Sequence, residues 1–188
     1  MAQIVGWALV NSQLKTALYY RTQEKIASLR AAGLLPAAAR VCVGQICLDS
    51  SHRGKGLMPW VYGQLYRQLA ERYDLYFATI LRSNLPSLRY HVREGYTLVA
   101  EDAEKQYFTD DIPHKTAMLP SSATIPVPYR VRQGQPTDAA HLHALNQRWS
   151  RAALGDDLAG GFLTTVYSEE EFRAIIAVNE IAIIETVQ

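Results

Sequence analysis

Apolar positions along the chain switch between a period near two and a period near 3.6. Gln3 to Val10 is rich in β-branched and aromatic residues and predicts a strand. Gln13 to Ala32 places Leu14, Leu18, Ile26 and Leu29 at helical spacing and stops at Gly33. Val41 to Leu48 predicts a second strand. Leu57 to Tyr73 predicts an amphipathic helix, with Leu57, Trp60, Val61, Leu65, Leu69 and Tyr73 on one side. Leu75 to Ile80 reads as a short buried strand. Leu85 to Arg93 reads as a short helix, capped by Asn84, with Pro86 in its first turn and Gly95 after it. Strands are expected at Tyr96 to Ala100 and at His114 to Leu119, with Asp110 and Asp111 forming a turn before Pro113.

Beyond a Pro-, Ser- and Ala-rich stretch at residues 121–128, Tyr129 to Arg132 predicts another strand. Thr137 is expected to cap a helix carrying Ala140, Leu142, Leu145 and Trp149. Ser168 and Glu171 form a capping box before Phe172, Ile175 and Ile176. Ile181 to Val187 is the last expected strand. The alternation predicts an α/β (α+β) domain with a mixed central sheet of about seven strands flanked by helices.

Composition narrows the function classes. The 188 residues suit one domain, and a net charge of +1 with interspersed signs gives no basic face for nucleic acid or a membrane surface. Neither a signal peptide nor a membrane-spanning helix is expected, which points to a cytoplasmic protein. Cys42 and Cys47 sit five apart on one predicted strand, so their side chains face opposite ways and are read as buried free thiols. His141 and His143 are two apart on a helix and make a poor metal pair, and no metal is expected.

The chemistry concentrates in Leu48-Asp49-Ser50-Ser51-His52-Arg53-Gly54-Lys55-Gly56-Leu57-Met58. A strand runs through a glycine turn into a helix, where free N–H groups and the helix dipole suit a pyrophosphate. Glycines let backbone approach phosphate closely, and Arg53 and Lys55 add positive charge. A Walker loop is excluded because Gly56 follows Lys55, and a Rossmann fingerprint because Pro59 stands where its third glycine belongs. An exposed turn capping a helix is the plain alternative.

This turn resembles the Q/R-x-x-G-x-G/A signature of the GNAT acetyltransferases, with Met58 in place of the final small residue. A second stretch, Asn84-Leu85-Pro86-Ser87-Leu88-Arg89-Tyr90-His91-Val92-Arg93-Glu94-Gly95-Tyr96, resembles the family's N-x-x-(A/S)-x-x-x-Y-x-x-x-G-(F/Y) element. The two together, in order, weigh against the plain alternative. The resemblance implies acetyl-CoA as co-substrate. Arg53, Gly54, Lys55, Gly56, Leu57 and Met58 would hold its pyrophosphate, and Asn84 and Ser87 its pantetheine arm. A backbone N–H near Cys47 or Leu48 would polarise the thioester. His91, four residues before Gly95, is the first choice for the acid that protonates the leaving thiolate, and Tyr90 the second. No carboxylate stands on Val41–Leu48 to serve as base; His52, His91 or a residue near the acceptor are the candidates.

In the family a strand, two helices and a hairpin precede the CoA-binding strand. Here residues 129–188 resemble that opening half and residues 1–120 everything from the third strand onward. The expected fold is therefore a GNAT-like domain in circularly permuted order, with 121–128 as the linker, or one completed by swapping with a neighbouring chain. Residues 13–35 form a longer connection than the family's short turn there; Tyr19 and Tyr20 are read first as packing or solubility residues, with bordering the acceptor as the alternative. The expected activity is transfer of an acetyl group to the amine of a small molecule or peptide by direct attack, in a possible homodimer. A non-catalytic acyl-CoA-binding module is the alternative.

Overall fold

The computed structural model describes residues 2–11, 17–118, 128–156, 161–178 and 180–187, with backbone alone at 11 and 17–21. The proposed linker therefore lies outside the described residues except for Pro128, as do Leu14 and the side chains of Leu18, Tyr19 and Tyr20.

Seven strands form one sheet: β1 (Gln3–Asn11), β2 (Val41–Leu48), β3 (Leu75–Leu81), β4 (Thr97–Glu101), β5 (Lys105–Asp111), β6 (Tyr129–Gln133) and β7 (Ile181–Thr186). Their spatial order is β4-β5-β3-β2-β1-β7-β6. The last strand of the chain thus lies beside the first, antiparallel, with Gln3 opposite Thr186 and Trp7 opposite Ile183. β7 lies between β1 and β6 and is buried on both faces, which is why Ile-Ala-Ile-Ile shows a continuous apolar run and no alternation. β6 pairs with β7 from Tyr129–Thr186 to Gln133–Ala182. Burial alone would raise the carboxyl of Glu185 on β7, but Arg132 and Arg130 of β6 hold it below its ordinary value.

Strand alternation sorts the core into two faces. Val5, Ala8 and Val10 pack with α2 (Leu57–Leu69), whose Leu57, Val61, Leu65 and Leu69 supply its buried stripe. Trp7 and Leu9 face the other way, against α5 (Ala139–Arg148) and α7 (Glu169–Ala177), through Leu142, Phe172 and Ile175. Each fully buried aliphatic side chain contributes roughly 1.5–3 kcal/mol relative to exposure. Helix α1 (Ala17–Ala31) covers Val43, Phe77 and Tyr107 with Ile26 and Leu29. The Ser168–Glu171 capping box of α7 is present in full. Cys42 and Cys47 fall in the two opposite core clusters and are unbridged.

Several sequence expectations need correction. Lys105–Asp111 is a strand: Asp110 and Asp111 close β5 and do not form a turn. Its two apolar residues, Tyr107 and Phe108, are adjacent and bury against opposite faces, so neither period shows in the sequence. The strand expected at His114–Leu119 is instead helix α4 (Ile112–Met118), since Asp111 Oδ1 accepts the His114 N–H at 2.7 Å and Pro113 suits a first turn. Thr137 caps nothing; Gln135 and Asp138 form the capping box of a 3-10 turn at Pro136–Asp138 that leads into α5. Helix α2 ends at Leu69, four residues before Tyr73.

Asp110 sits under α2 with its carboxylate accepting the Tyr66 hydroxyl at 3.0 Å and Lys115 Nζ 4.0 Å away. Burial raises its carboxyl to about 6 from the ordinary 3.8, and Lys115 and Tyr66 offset only part of that. A raised carboxyl favours the protonated folded state. That contribution is fully present below pH 4 and fades as the pH climbs through about 6. The penalty above that window is about 3 kcal/mol, from 1.36 kcal/mol per pH unit. Asp110→Asn is therefore expected to raise Tm at pH 7.5 by about 6–12 °C and to flatten the loss of stability between pH 4 and 6. Equal Tm values for variant and parent at pH 7.5 would contradict this.

Candidate active site

β2 and β3 are parallel neighbours that stay together for only three residue pairs, Val41–Leu75, Cys42–Tyr76 and Val43–Phe77. Beyond them the strands part, and a cleft of about 640 Å³ opens between Gly44–Leu48 and Ala78–Leu81. That volume suits a sizeable small-molecule ligand. Gly44 stands where the strands separate; a Cβ there would come 2.9 Å from the Tyr76 hydroxyl and 2.6 Å from the Leu9 carbonyl oxygen.

The strand register decides which backbone groups face the cleft. The Asp49 N–H donates to Val5 O on β1 at 2.8 Å, so alternation turns the N–H and C=O of Leu48 and Ile46 the other way, toward the gap. Arg53 Nε donates to Leu48 O at 2.9 Å, as that direction requires. Of the two expected polarising positions, Leu48 points its N–H into the cleft and Cys47 points its own at β1. Burial pushes both the Cys42 and Cys47 thiols up to about 12, so neither is a nucleophile at neutral pH.

The glycine turn closes one end of the cleft. Gly54 and Gly56 both hold φ of +72°, a backbone state that glycine adopts without strain. Gly56 is the N-cap of α2 and has no side chain to accept the first-turn N–H groups, which are left for an anion. A Cβ at either glycine would meet nothing within 4 Å, so the space above the turn is open. Arg53, Gly54, Gly56, Leu57 and Met58 line the cleft, and Met58 also packs on the α2-side core. Lys55 is exposed between the two glycines and lies outside the lining. The Arg53 guanidinium stacks over Trp149 at 4.3 Å. Trp149 lies 96 positions along the chain from Arg53, and no local sequence signal announced the contact.

Helix α3 (Leu85–Arg93) forms the opposite wall. Asn84 holds its N-cap position, but its side chain does not cap: Nδ2 donates to Phe162 O at 2.9 Å, while the buried Oδ1 has no partner. Asn84 and Ser87 line the cleft, as does the segment Gly161–Thr165, tied to Asn84 by that bond. An unpaired buried acceptor and an uncapped helix start both fit a ligand that brings amide N–H groups and phosphates, as the CoA arm does.

His91 and Tyr90 part company here. His91 is 4% exposed, among Tyr96 and Phe108. Its Nδ1 lies 2.7 Å from Ser87 O, which can only accept, so Nδ1 carries the hydrogen. Nε2 is then a bare lone pair, buried and without a partner. Burial lowers the imidazole pKa, against the smaller opposing effect of Ser87. A neutral ring in this tautomer has no proton to give at Nε2. Tyr90 is half-buried, stacks on Tyr62 at 5.6 Å and, like His91, lines the cleft. Burial lifts its hydroxyl pKa far above the ordinary 10, so it keeps its proton at any physiological pH. His52 does not line the cleft; its Nδ1 pairs with the Tyr129 hydroxyl at 2.9 Å.

No protein-family model matches the chain, and no curated protein matches it. Solved structures overlap it in part. A protein of Streptococcus mutans is 14% identical over 57% of this chain and 63% of its own, with a TM-score of 0.42. An N-acetyltransferase of Staphylococcus aureus is 18% identical over 57% and 61%, with a TM-score of 0.38. A Campylobacter jejuni N-acetyltransferase in complex with acetyl coenzyme A is 13% identical over 50% and 81%, with a TM-score of 0.34. This chain spans less than two thirds of the first two, so what the cleft binds rests on its own residues. The fold is a mixed seven-stranded α/β sheet flanked by helices, the architecture that the GNAT resemblance implied.

Proposed function

We propose that the chain is an acetyl-CoA-dependent N-acetyltransferase. One observation carries this: two parallel strands part to leave unpaired backbone groups in a cleft whose end is an uncapped, glycine-led helix start. The α2 N-terminus and Arg53 take the pyrophosphate, and Asn84 Oδ1 accepts from an amide of the pantetheine arm. The Leu48 N–H receives the thioester oxygen as it gains charge. The amine of the acceptor attacks the thioester carbon, the C–S bond breaks, and Tyr90 gives its proton to the sulfur; the nitrogen sheds its extra proton to solvent, from which Tyr90 is reprotonated. The buried thiols argue for direct attack, with no acyl-enzyme on cysteine. Residues 129–187 are read as the opening half of the domain set at the end of the chain, supported by the β7–β1 pairing within one chain.

Strand alternation supports one side of the cleft for the acceptor. Ile46, Ala78 and Ile80 pack on the α2 side, with the phosphate turn, whereas Gln45 and Phe77 face α1 and the Gly161–Thr165 segment. The acceptor enters from this second side.

Isothermal titration with acetyl-CoA, CoA, ATP and NAD tests the reading. Binding of the two CoA species alone, together with release of free CoA when amines are added, is the expected result. CoA binding without turnover of any amine would favour the non-catalytic module instead, and no CoA binding at millimolar levels would end both.

A further inference from the structure

The charge distribution around the cleft restricts what amine it accepts, given the acetyl-transfer reading on which this inference rests. Among the described residues lining the cleft, the only charged side chains are Arg53, Arg89 and Arg93, and none is a carboxylate. The acceptor side is walled by Val43, Gln45, Phe77 and Thr79 of the two strands, Thr22 of α1, and Thr165. These side chains are apolar, hydroxyl or amide. Gln45 Nε2 reaches Thr165 O at 3.4 Å, and that carbonyl also takes Asn146 Nδ2 at 3.1 Å. This orientation leaves Gln45 Oε1 buried and without a partner. A buried acceptor in that state is stabilised by a donor that the ligand brings.

An ammonium entering here would leave water for a neutral wall, with no carboxylate among the described lining residues to pair with or to take its proton. An amine that arrives neutral meets neither cost. We propose that the acceptor is a weakly basic amine on an uncharged, partly apolar body, such as the α-amine of an amino-acid ester or peptide, with Gln45 Oε1 accepting one N–H of the attacking nitrogen. The same arrangement disfavours polyamines and other strongly basic polycations. Attack uses the nitrogen lone pair, the new N–C bond replaces the C–S bond, and the surplus amine proton leaves to solvent through the open side of the cleft.

Release of free CoA from acetyl-CoA, followed at pH 7.5 with phenylalanine methyl ester and with spermidine, tests the proposal. α-Amines titrate near 8 and alkyl ammonium groups near 10.4, so the neutral fraction alone favours the ester by about 200-fold in kcat/KM. Gln45→Leu is expected to lower kcat/KM for the ester by about 10-fold, with the Kd for acetyl-CoA unchanged. Gln45→Glu, or Thr79→Asp at an exposed strand position that tolerates substitution, is expected to narrow the ester-to-spermidine ratio at least 10-fold by supplying a carboxylate. Spermidine used by the parent protein as well as the ester would overturn the proposal. So would acetyl-CoA binding with turnover of neither amine, which leaves the cofactor site standing. Absence of acetyl-CoA binding would instead overturn the acetyl-transfer reading, and this inference with it.

Discussion

Tyr90→Phe is expected to lower kcat for acetyl transfer by about 100-fold or more, the usual worth of a positioned general acid. Phenylalanine keeps the ring that stacks on Tyr62 at 5.6 Å, so the fold and the wall of the cleft survive the change. The Kd for acetyl-CoA should therefore move by less than about twofold, because the hydroxyl acts only as the C–S bond breaks. The lifted hydroxyl pKa adds a second signature: no loss of kcat from ionisation of Tyr90 up to pH 9. His91→Gln supplies the contrast. It disturbs a buried ring held to Ser87 O, so its main effect should fall on Tm. Rates measured for both variants, with Tm alongside, separate the two roles. Loss of turnover in His91→Gln at unchanged Tm, with Tyr90→Phe active, would restore the histidine as the acid.

The second large effect is expected at the glycine turn. Gly54→Asp combined with Gly56→Asp forces two side chains into a left-handed backbone state, at roughly 1–2 kcal/mol each. Because a Cβ at either position meets no protein atom, this penalty and the new charge are the whole effect. Each carboxylate within about 6 Å of a phosphate costs about 3 kcal/mol at an effective dielectric near 20. Acetyl-CoA should then bind at least about 100-fold more weakly. Thermal shift reads the difference cleanly if each protein is compared with and without ligand. At a hundredfold excess over Kd the parent gains about 2.7 kcal/mol of stability, and the variant should gain almost none. An equal ligand-induced shift in both would mean that the phosphates lie elsewhere.

The local elements were largely legible because their signals are local. The α2 stripe from Leu57 to Leu69, the Ser168–Glu171 box and the apolar run of β7 each reflect a few neighbouring residues and one buried face. The sequence failed where burial did not follow a period, as in β5, whose Tyr107 and Phe108 serve opposite cores. It failed again where a polar side chain chose a distant partner over a near one. Asn84 occupies the cap position yet bonds Phe162, which is 78 residues away, and so becomes part of the cleft.

From the sequence alone came the α/β class, the glycine turn with its helix and the pairing of the two CoA-like elements, since spacing along one strand or helix sets these. Strand neighbours set the rest. Only the assembled sheet parts β2 from β3 after three residue pairs and turns the Leu48 N–H into the gap. Only the tertiary structure ties the His91 ring to Ser87 O and stacks the Tyr90 ring on Tyr62 at the cleft wall. It alone brings Trp149 and Gly161–Thr165 to the same cleft as Gln45. The physical reason is one of range. Propensity and periodicity act over a few residues, whereas proton ownership, burial and the wall of a cleft depend on groups that the chain brings together from far apart.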